Sequence, residues 1–233
     1  MLKAVDCVFL FDVDNTLLDN DRFADDLRER LTRDFGVAEC ERYWSIYNRL
    51  RDARGVADYI DALQEFGAAL EGEPTLLGMS AFLLDYPFAE RVYEGALDAL
   101  AHLRTRGTVA ILSDGDLVFQ PRKIQRSGLW DAVDGAVMIY LHKERSLDAM
   151  QRRFPAAHYV MLDDKPNILA AMKRVLGAKL TTVFVKQGHY AVQADLAAIQ
   201  PAPDRTIASI VDIPHLDWND LVAAPVPSPK EIA

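Results

Sequence analysis

The stretch Cys7-Val8-Phe9-Leu10-Phe11-Asp12-Val13-Asp14-Asn15-Thr16-Leu17 decides how this chain folds. Four consecutive apolar residues, Val8 to Phe11, predict a strand covered on both faces, as in the middle of a parallel sheet. Leaving such a strand, the chain enters the crevice at the carboxyl edge of the sheet, where open α/β folds bind ligands. Side chains two apart on extended backbone project to the same side, so Asp12 and Asp14 can share one site. Like charges that close resist ionising together, and a cation that prefers oxygen ligands, such as Mg²⁺, relieves the repulsion. A calcium loop would need Gly at its sixth position and Glu at its twelfth. Counted from Asp12 those places hold Leu17 and Phe23, so that reading fails.

The 233 residues suffice for one large domain or a domain with a sizeable insertion. Half are hydrophobic and 26% charged, as in an ordinary globular protein. A net charge of −9 argues against nucleic acid or an anionic membrane surface as partners. Cys7, inside the first strand, and Cys40, among charged residues, suggest neither a disulfide framework nor a zinc site. The apolar run at 8–11 is too short to cross a bilayer and no signal segment precedes it, so a cytoplasmic, reduced protein is expected.

Outward from the opening stretch, Asp19-Asn20-Asp21 can cap a helix carrying Phe23, Leu27, Leu31 and Phe35, with Gly36 ending it. Three further amphipathic patterns follow: Tyr43, Ile46, Tyr47, Leu50; then Val56, Tyr59, Ile60, Leu63, Leu70; then Leu76, Leu77, Phe82, Leu83. Tyr86-Pro87 breaks the series. Beyond it strands and helices alternate. A helix at 95–106 (Leu97, Leu100, Leu103) precedes a strand from Thr108 to Leu112. A helix near 118–127, a strand from Gly135 to Leu141 and a helix at 144–153 come next. The strand His158 to Leu162, a helix at 166–176 and the strand Leu180 to Val185 complete the series. This pattern predicts a parallel sheet with right-handed crossovers. The connection from Asp14 to Thr108 far exceeds the dozen or so residues a crossover needs, so 20–86 reads as an inserted helical subdomain. The two parts are then an α/β core of 1–19 and 87–233 and a helical unit of 20–86. Residues 223–229, rich in proline, read as an irregular tail.

Chemistry-bearing residues recur where the predicted strands end. Ser113-Asp114-Gly115-Asp116 offers a hydroxyl and a turn of backbone N–H groups that suit a phosphate oxygen. Lys143, after the next strand, is a point charge able to balance phosphate and carboxylates. Lys123 competes for that role but lies within a helix, and His142 reads as structural. Asp163-Asp164-Lys165-Pro166-Asn167 places two acids at a strand end, with Asn167 one turn along to orient Asp163 or a metal-bound water.

In this order the four stations resemble the motifs of the haloacid dehalogenase-like (HAD) superfamily over residues 7 to about 188. The resemblance implies a Rossmann-like parallel core with an α-helical cap. It implies Asp12 as nucleophile and Asp14 as general acid/base, with Ser113, Asp114 and Lys143 around a phosphoryl group. Mg²⁺ would be held by Asp12, Asp14 and Asp163. The family's fourth motif often reads Gly-Asp with a second Asp four residues on. Here Leu162-Asp163 and Asn167 stand there, so Asp164 remains an alternative ligand. The implied function is a Mg²⁺-dependent phosphoric monoester hydrolase for a small phosphorylated metabolite. Phosphomutases share the motif. The dehalogenases lack the acid at the position of Asp14 and need no metal. A non-enzymatic receiver-like domain would lack both that acid and the helical insertion, and a degenerate phosphate-binding member would lack some of the motif residues. The cap contains no lysine, but it carries Arg42, Arg49, Arg51 and Arg54, candidates to select the substrate, beside Tyr43, Trp44 and Tyr47, whose helical spacing reads as core.

Overall fold

A computed structural model describes residues 6–55, 58–70 and 73–217. Strand β1 (Cys7–Phe11) is buried at every position, as its unbroken apolar run requires. Four helices follow: α1 (Asn20–Phe35), α2 (Val37–Arg54), α3 (Tyr59–Gly67) and α4 (Thr75–Asp85). The alternating half comprises α5 (Ala96–Arg104), β2 (Thr108–Asp114), α6 (Phe119–Arg126), α7 (Leu129–Ala132), β3 (Val137–Tyr140), α8 (Leu147–Arg153), β4 (His158–Asp163), α9 (Pro166–Leu176) and β5 (Leu180–Val185). It ends in α10 (Gly188–Gln193) and β6 (Arg205–Ile207).

All six strands run parallel in the order β3-β2-β1-β4-β5-β6. The chain builds outward from β1 through β2 to β3, then returns to the other side of β1 with β4. The crevice at that reversal is where such sheets bind ligands. Phe11 stands level with Ile111 of β2 and Leu162 of β4, so the residues that follow β1 meet the ends of both neighbours. Alternation divides the sheet: Phe9, Phe11, Ile111 and Leu162 face one core, Val8, Leu10, Leu112 and Met161 the other. The first core runs without a break into the helical insertion through Phe23, Tyr59, Tyr86, Phe88 and Phe119.

Asp19 caps α1, accepting the Arg22 N–H at 2.9 Å, and Phe23, Leu27 and Leu31 are its buried stripe. Several boundaries differ from expectation. Leu97 is 49% exposed because α5 buries Ala96, Ala99, Leu100 and Leu103, a stripe one position out of phase. The expected helix at 144–153 starts as a 3-10 turn over Lys143–Arg145 and restarts at Leu147. β3 is shorter than 135–141, since Asp134 and Gly135 adopt positive φ in the turn before it. The region after β5 adds β6 to the sheet edge and lays a 3-10 turn, Ile210–His215, against α5. Val56 and the proline-rich tail lie outside the described residues. No described helix is long and apolar enough to cross a membrane.

Candidate active site

Asp12 leaves β1 with its backbone N–H bound to Leu162 O at 3.0 Å and its side chain 2% exposed. The following loop is fixed by Asn15, whose φ of 60° is a left-handed conformation asparagine tolerates. Its Oδ1 accepts the N–H groups of Asn20 and Asp21 at the start of α1. The buried Thr16 hydroxyl accepts the Asp164 N–H at 3.1 Å, tying the loop to the end of β4.

Lys143 closes the site from the β3 side. Its Nζ lies 2.5 Å from Asp12 Oδ1 and 2.7 Å from Asp163 Oδ2, and none of its surface is exposed. Burial opposes its charge, but the carboxylates of Asp12, Asp163 and Asp114 outweigh burial and hold it well above the ordinary lysine value. Its place after a strand favours it over Lys123 in the sequence, and the geometry sets it between two of the motif acids. Asp114 contributes differently from expectation: its carboxylate accepts the Lys143 N–H at 2.8 Å and so positions the lysine's turn. Ser113 is buried, its hydroxyl accepting from Gln120 Nε2 at 3.0 Å.

Asp12, Asp163 and Asp164 each offer an oxygen within 4.8 Å of the others, and all three are buried. Both oxygens of Asp164 are buried without a hydrogen-bond partner, whereas the one Asp163 oxygen outside a hydrogen bond, Oδ2, faces only the Lys143 ammonium. Buried polar groups are almost always satisfied, so such orphans concentrated in one acidic cluster point to a cation. Burial pushes Asp163 up to about 6 and, with the neighbouring Asp163 and Asp12 charges added, Asp164 to about 9. A hard divalent ion such as Mg²⁺ fits this all-carboxylate donor set.

Two expected site residues, the ligand Asp14 and the orienting Asn167, stand elsewhere. The Asp14 carboxylate is outside that group: its Oδ1 takes Lys123 Nζ at 2.7 Å and its Oδ2 takes Gln120 Nε2 at 3.3 Å. Asn167 is exposed and lines a separate recess with Pro166 and Tyr190, while Asp163 Oδ1 accepts the Lys165 N–H at 2.9 Å instead. The first turn of α9 aims Asn167 outward, so Asp163 is oriented by backbone.

Sequence reasoning placed Lys123 second to Lys143 and missed three further contributors, Gln120, Lys165 and Tyr190. Lys123 is fully buried, its Nζ also 2.9 Å from Asn20 Oδ1, amid the rings of Phe23, Tyr59, Phe88 and Phe119 at 5.4–5.9 Å. Gln120 bridges Asp14 and Ser113. Lys165 is held above the ordinary lysine value: burial opposes its charge, and Asp12 and Asp164 outweigh it. Tyr190, from the region after β5, lies with its ring 4.9 Å from Lys165 Nζ. The signal for Lys123 and Gln120 was their helical spacing on α6, three apart and so on one face.

The arrangement is a nucleophile-competent carboxylate beside a buried lysine, a cation-ready acidic group and a second acid held two residues on. The sequence pattern of haloacid dehalogenase-like hydrolases matches residues 8–175. The chain belongs to the haloacid dehalogenase-like hydrolases. A haloacid dehalogenase-like hydrolase of Burkholderia xenovorans LB400 is 56% identical, with a TM-score of 0.85 over 91% of this chain and 99% of that one. The L-2-haloacid dehalogenase of Xanthobacter autotrophicus superposes with a TM-score of 0.59 at 18% identity, covering 90% of this chain and 97% of its own. The HAD-hydrolase YfnB of Bacillus subtilis, whose structure is bound to magnesium, gives 0.59 at 17% identity over 91% and 98%. Those two likenesses establish the fold alone. The comparison with curated proteins gave no match. In this HAD-like hydrolase the four-helix insertion between β1 and β2 has the position of a cap.

Proposed function

We propose that this protein is a Mg²⁺-dependent phosphoric monoester hydrolase acting on a small phosphorylated substrate. One observation carries the choice over dehalogenase chemistry: the buried Asp12, Asp163 and Asp164 group, in which Asp164 has no hydrogen-bond partner for either oxygen. Asp12 and Asp163 share the single ammonium of Lys143 and Asp164 has no partner, an excess of buried negative charge that a divalent cation would balance. Asp14, absent from the dehalogenase pattern, supports the same reading.

Asp12 attacks the phosphorus in line; the P–O bond to the leaving alcohol breaks as the Asp12 O–P bond forms, giving an aspartyl-phosphate. Asp14 gives its proton to the leaving oxygen. It then takes a proton from the water that attacks phosphorus, and Asp12 departs as the free carboxylate. Lys143, on Asp12 and Asp163, offsets phosphoryl charge, where most of the barrier lies in such reactions. Asp12, Asp163 and Asp164 would hold Mg²⁺, which when bound neutralises further phosphoryl charge. The mutase alternative shares these steps but returns the phosphoryl group to a second hydroxyl.

The test is hydrolysis of an aryl phosphate by purified protein with Mg²⁺, with EDTA, and by the Asp12→Asn variant. Metal-dependent release that disappears in Asp12→Asn is expected. Release in EDTA, or full activity in Asp12→Asn, overturns the reading.

A further inference from the structure

The cap carries four arginines on α2, and helical geometry sends them in different directions. Arg42 pairs with Glu39, donates to Phe66 O at 3.2 Å and lies over the Phe66 ring. Arg49 pairs with Glu65, and Arg54 with Asp58 and Asp61. These three hold the cap together. Arg51 alone of the four lines the cleft between cap and core, its acidic partner the adjacent and largely exposed Asp52.

That cleft has two connected parts. A cavity of about 100 Å³ lies against Asp14, Asp114 and Gln120 at the sheet edge. A second, of about 240 Å³, extends under the cap. Both are bordered by Asp14, Arg51, Tyr59, Lys165 and Tyr190, and the second adds Arg28, Trp44 and Tyr47. Charge in the larger cavity is unbalanced. Its acids are already held: Asp14 by Lys123, and Asp21 by the N–H and ring of His189 and by the Asn15 amide. Its cations are held less directly: Arg51 reaches only the largely exposed Asp52. Arg28 has no carboxylate within ion-pair distance among the described residues and lies over the Trp44 ring at 4.7 Å. Lys165 makes no direct ion pair among the described residues, its charge being offset at longer range by Asp12 and Asp164.

We infer that the cap side of this cleft is a second anion-binding subsite, in which Arg51, with Arg28 and Lys165, receives an anionic group on the leaving-group side of the substrate. The inference rests on the phosphomonoester reading of the sheet edge: the phosphoryl group sits at Asp12, and the tail reaches under the cap. The substrate class is then a compact phosphomonoester bearing a second anion, a carboxylate or another phosphoryl group. Planar guanidinium groups suit both by paired hydrogen bonds. Closing the cap on a substrate with a neutral tail would leave Arg28 without a counter-charge and Arg51 with only the exposed Asp52, which disfavours such a substrate.

Calorimetry on the wild-type protein with Mg²⁺ tests this with three non-hydrolysable probes: methylphosphonate, 3-phosphonopropionate and propane-1,3-bisphosphonate. At least one tailed probe is expected to bind about 10-fold or more tighter than methylphosphonate, the scale of one or two charge-assisted hydrogen bonds. Which one wins distinguishes carboxylate from phosphoryl recognition. Arg51→Gln should bring the ratio close to one, Arg51→Lys should restore part of it, and Arg49→Gln should leave it unchanged. Equal affinity for all three probes, or a ratio that survives Arg51→Gln, overturns the subsite. Aryl phosphate turnover reports separately on the hydrolase reading. Turnover with equal probe affinities removes the subsite and leaves the hydrolase; an intact probe ratio without turnover does the reverse.

Discussion

Among the described residues two lysines are completely buried, each holding one aspartate of the first motif, in opposite surroundings. Lys143 sits among carboxylates, with Asp12 and Asp163 in contact and Asp114 on its backbone. Lys123 sits among aromatic rings, with one carboxylate, Asp14, and one amide, Asn20. The Lys143 partners all come from the ends of core strands. The Lys123 box is shared: Asn20, Phe23 and Tyr59 come from the cap, Phe119 from α6 of the core. Asp12 is thus held by the core alone, whereas Asp14 bonds Lys123 and Gln120 of α6, and Lys123 in turn is boxed in by side chains from the cap.

Lys143→Met should break this comparison most severely. It leaves Asp12 and Asp163 buried without their counter-charge, and losing one partner of a buried pair costs about 3–5 kcal/mol. Urea unfolding of the metal-free protein should register that loss, and kcat/KM for aryl phosphate should fall about 10³-fold with the lost charge stabilisation. A variant within tenfold of wild type would remove Lys143 from the chemistry.

Lys123→Met is the sharper probe. Methionine fits an aromatic box, and Asp14, with a quarter of its side chain exposed, keeps Gln120 and water. The stability cost should therefore be smaller, about 1–2 kcal/mol. With Asp14 no longer held, kcat should fall about 10²-fold, the usual range for a general acid/base, while KM moves less than about threefold. Equal stability losses for the two lysine variants would show that the boxes are not energetically different.

The acidic cluster predicts a third, smaller effect. Asp163 and Asp164 have folded-state values raised by burial above the ordinary 3.8, to about 6 and about 9. Their contribution to the stability of the metal-free protein is full below about pH 4 and is lost as pH rises through those values, because the unfolded chain gives up its protons first. Thermal unfolding in EDTA should accordingly weaken from pH 5 to pH 9, Mg²⁺ should restore stability at the alkaline end, and Asp164→Asn should flatten the slope. A metal-free protein equally stable at both ends would contradict the cluster's burial as its dominant property. His158 changes in the opposite direction. Burial and Lys173 lower it, so its neutral form contributes stability above pH 6.5 that is lost as pH falls.

The order of elements and the stations of chemistry were legible in the sequence because they rest on local signals. The unbroken apolar run of β1, the four-residue spacing of Phe23, Leu27 and Leu31, and acids at successive strand ends each lie within one short window. Such patterns survive whatever the rest of the chain does. The placement of Asp12, Lys143 and Asp163 followed, since parallel strands in one sheet must bring their ends to one edge. What the tertiary structure alone decided is where side chains turn once they arrive. Lys123 reaches Asp14 across 109 positions of sequence and Lys143 reaches Asp12 across 131. Whether Asp163 or Asp164 keeps free oxygens depends on which takes the Lys165 N–H, and which cap arginine meets the cleft depends on the rotation of α2. Tyr190 enters the site from a segment whose sequence carries no periodic signal. The physical reason is common to all of these: local periodicity determines elements, but hydrogen bonds, ion pairs and close packing between distant segments select single side-chain directions.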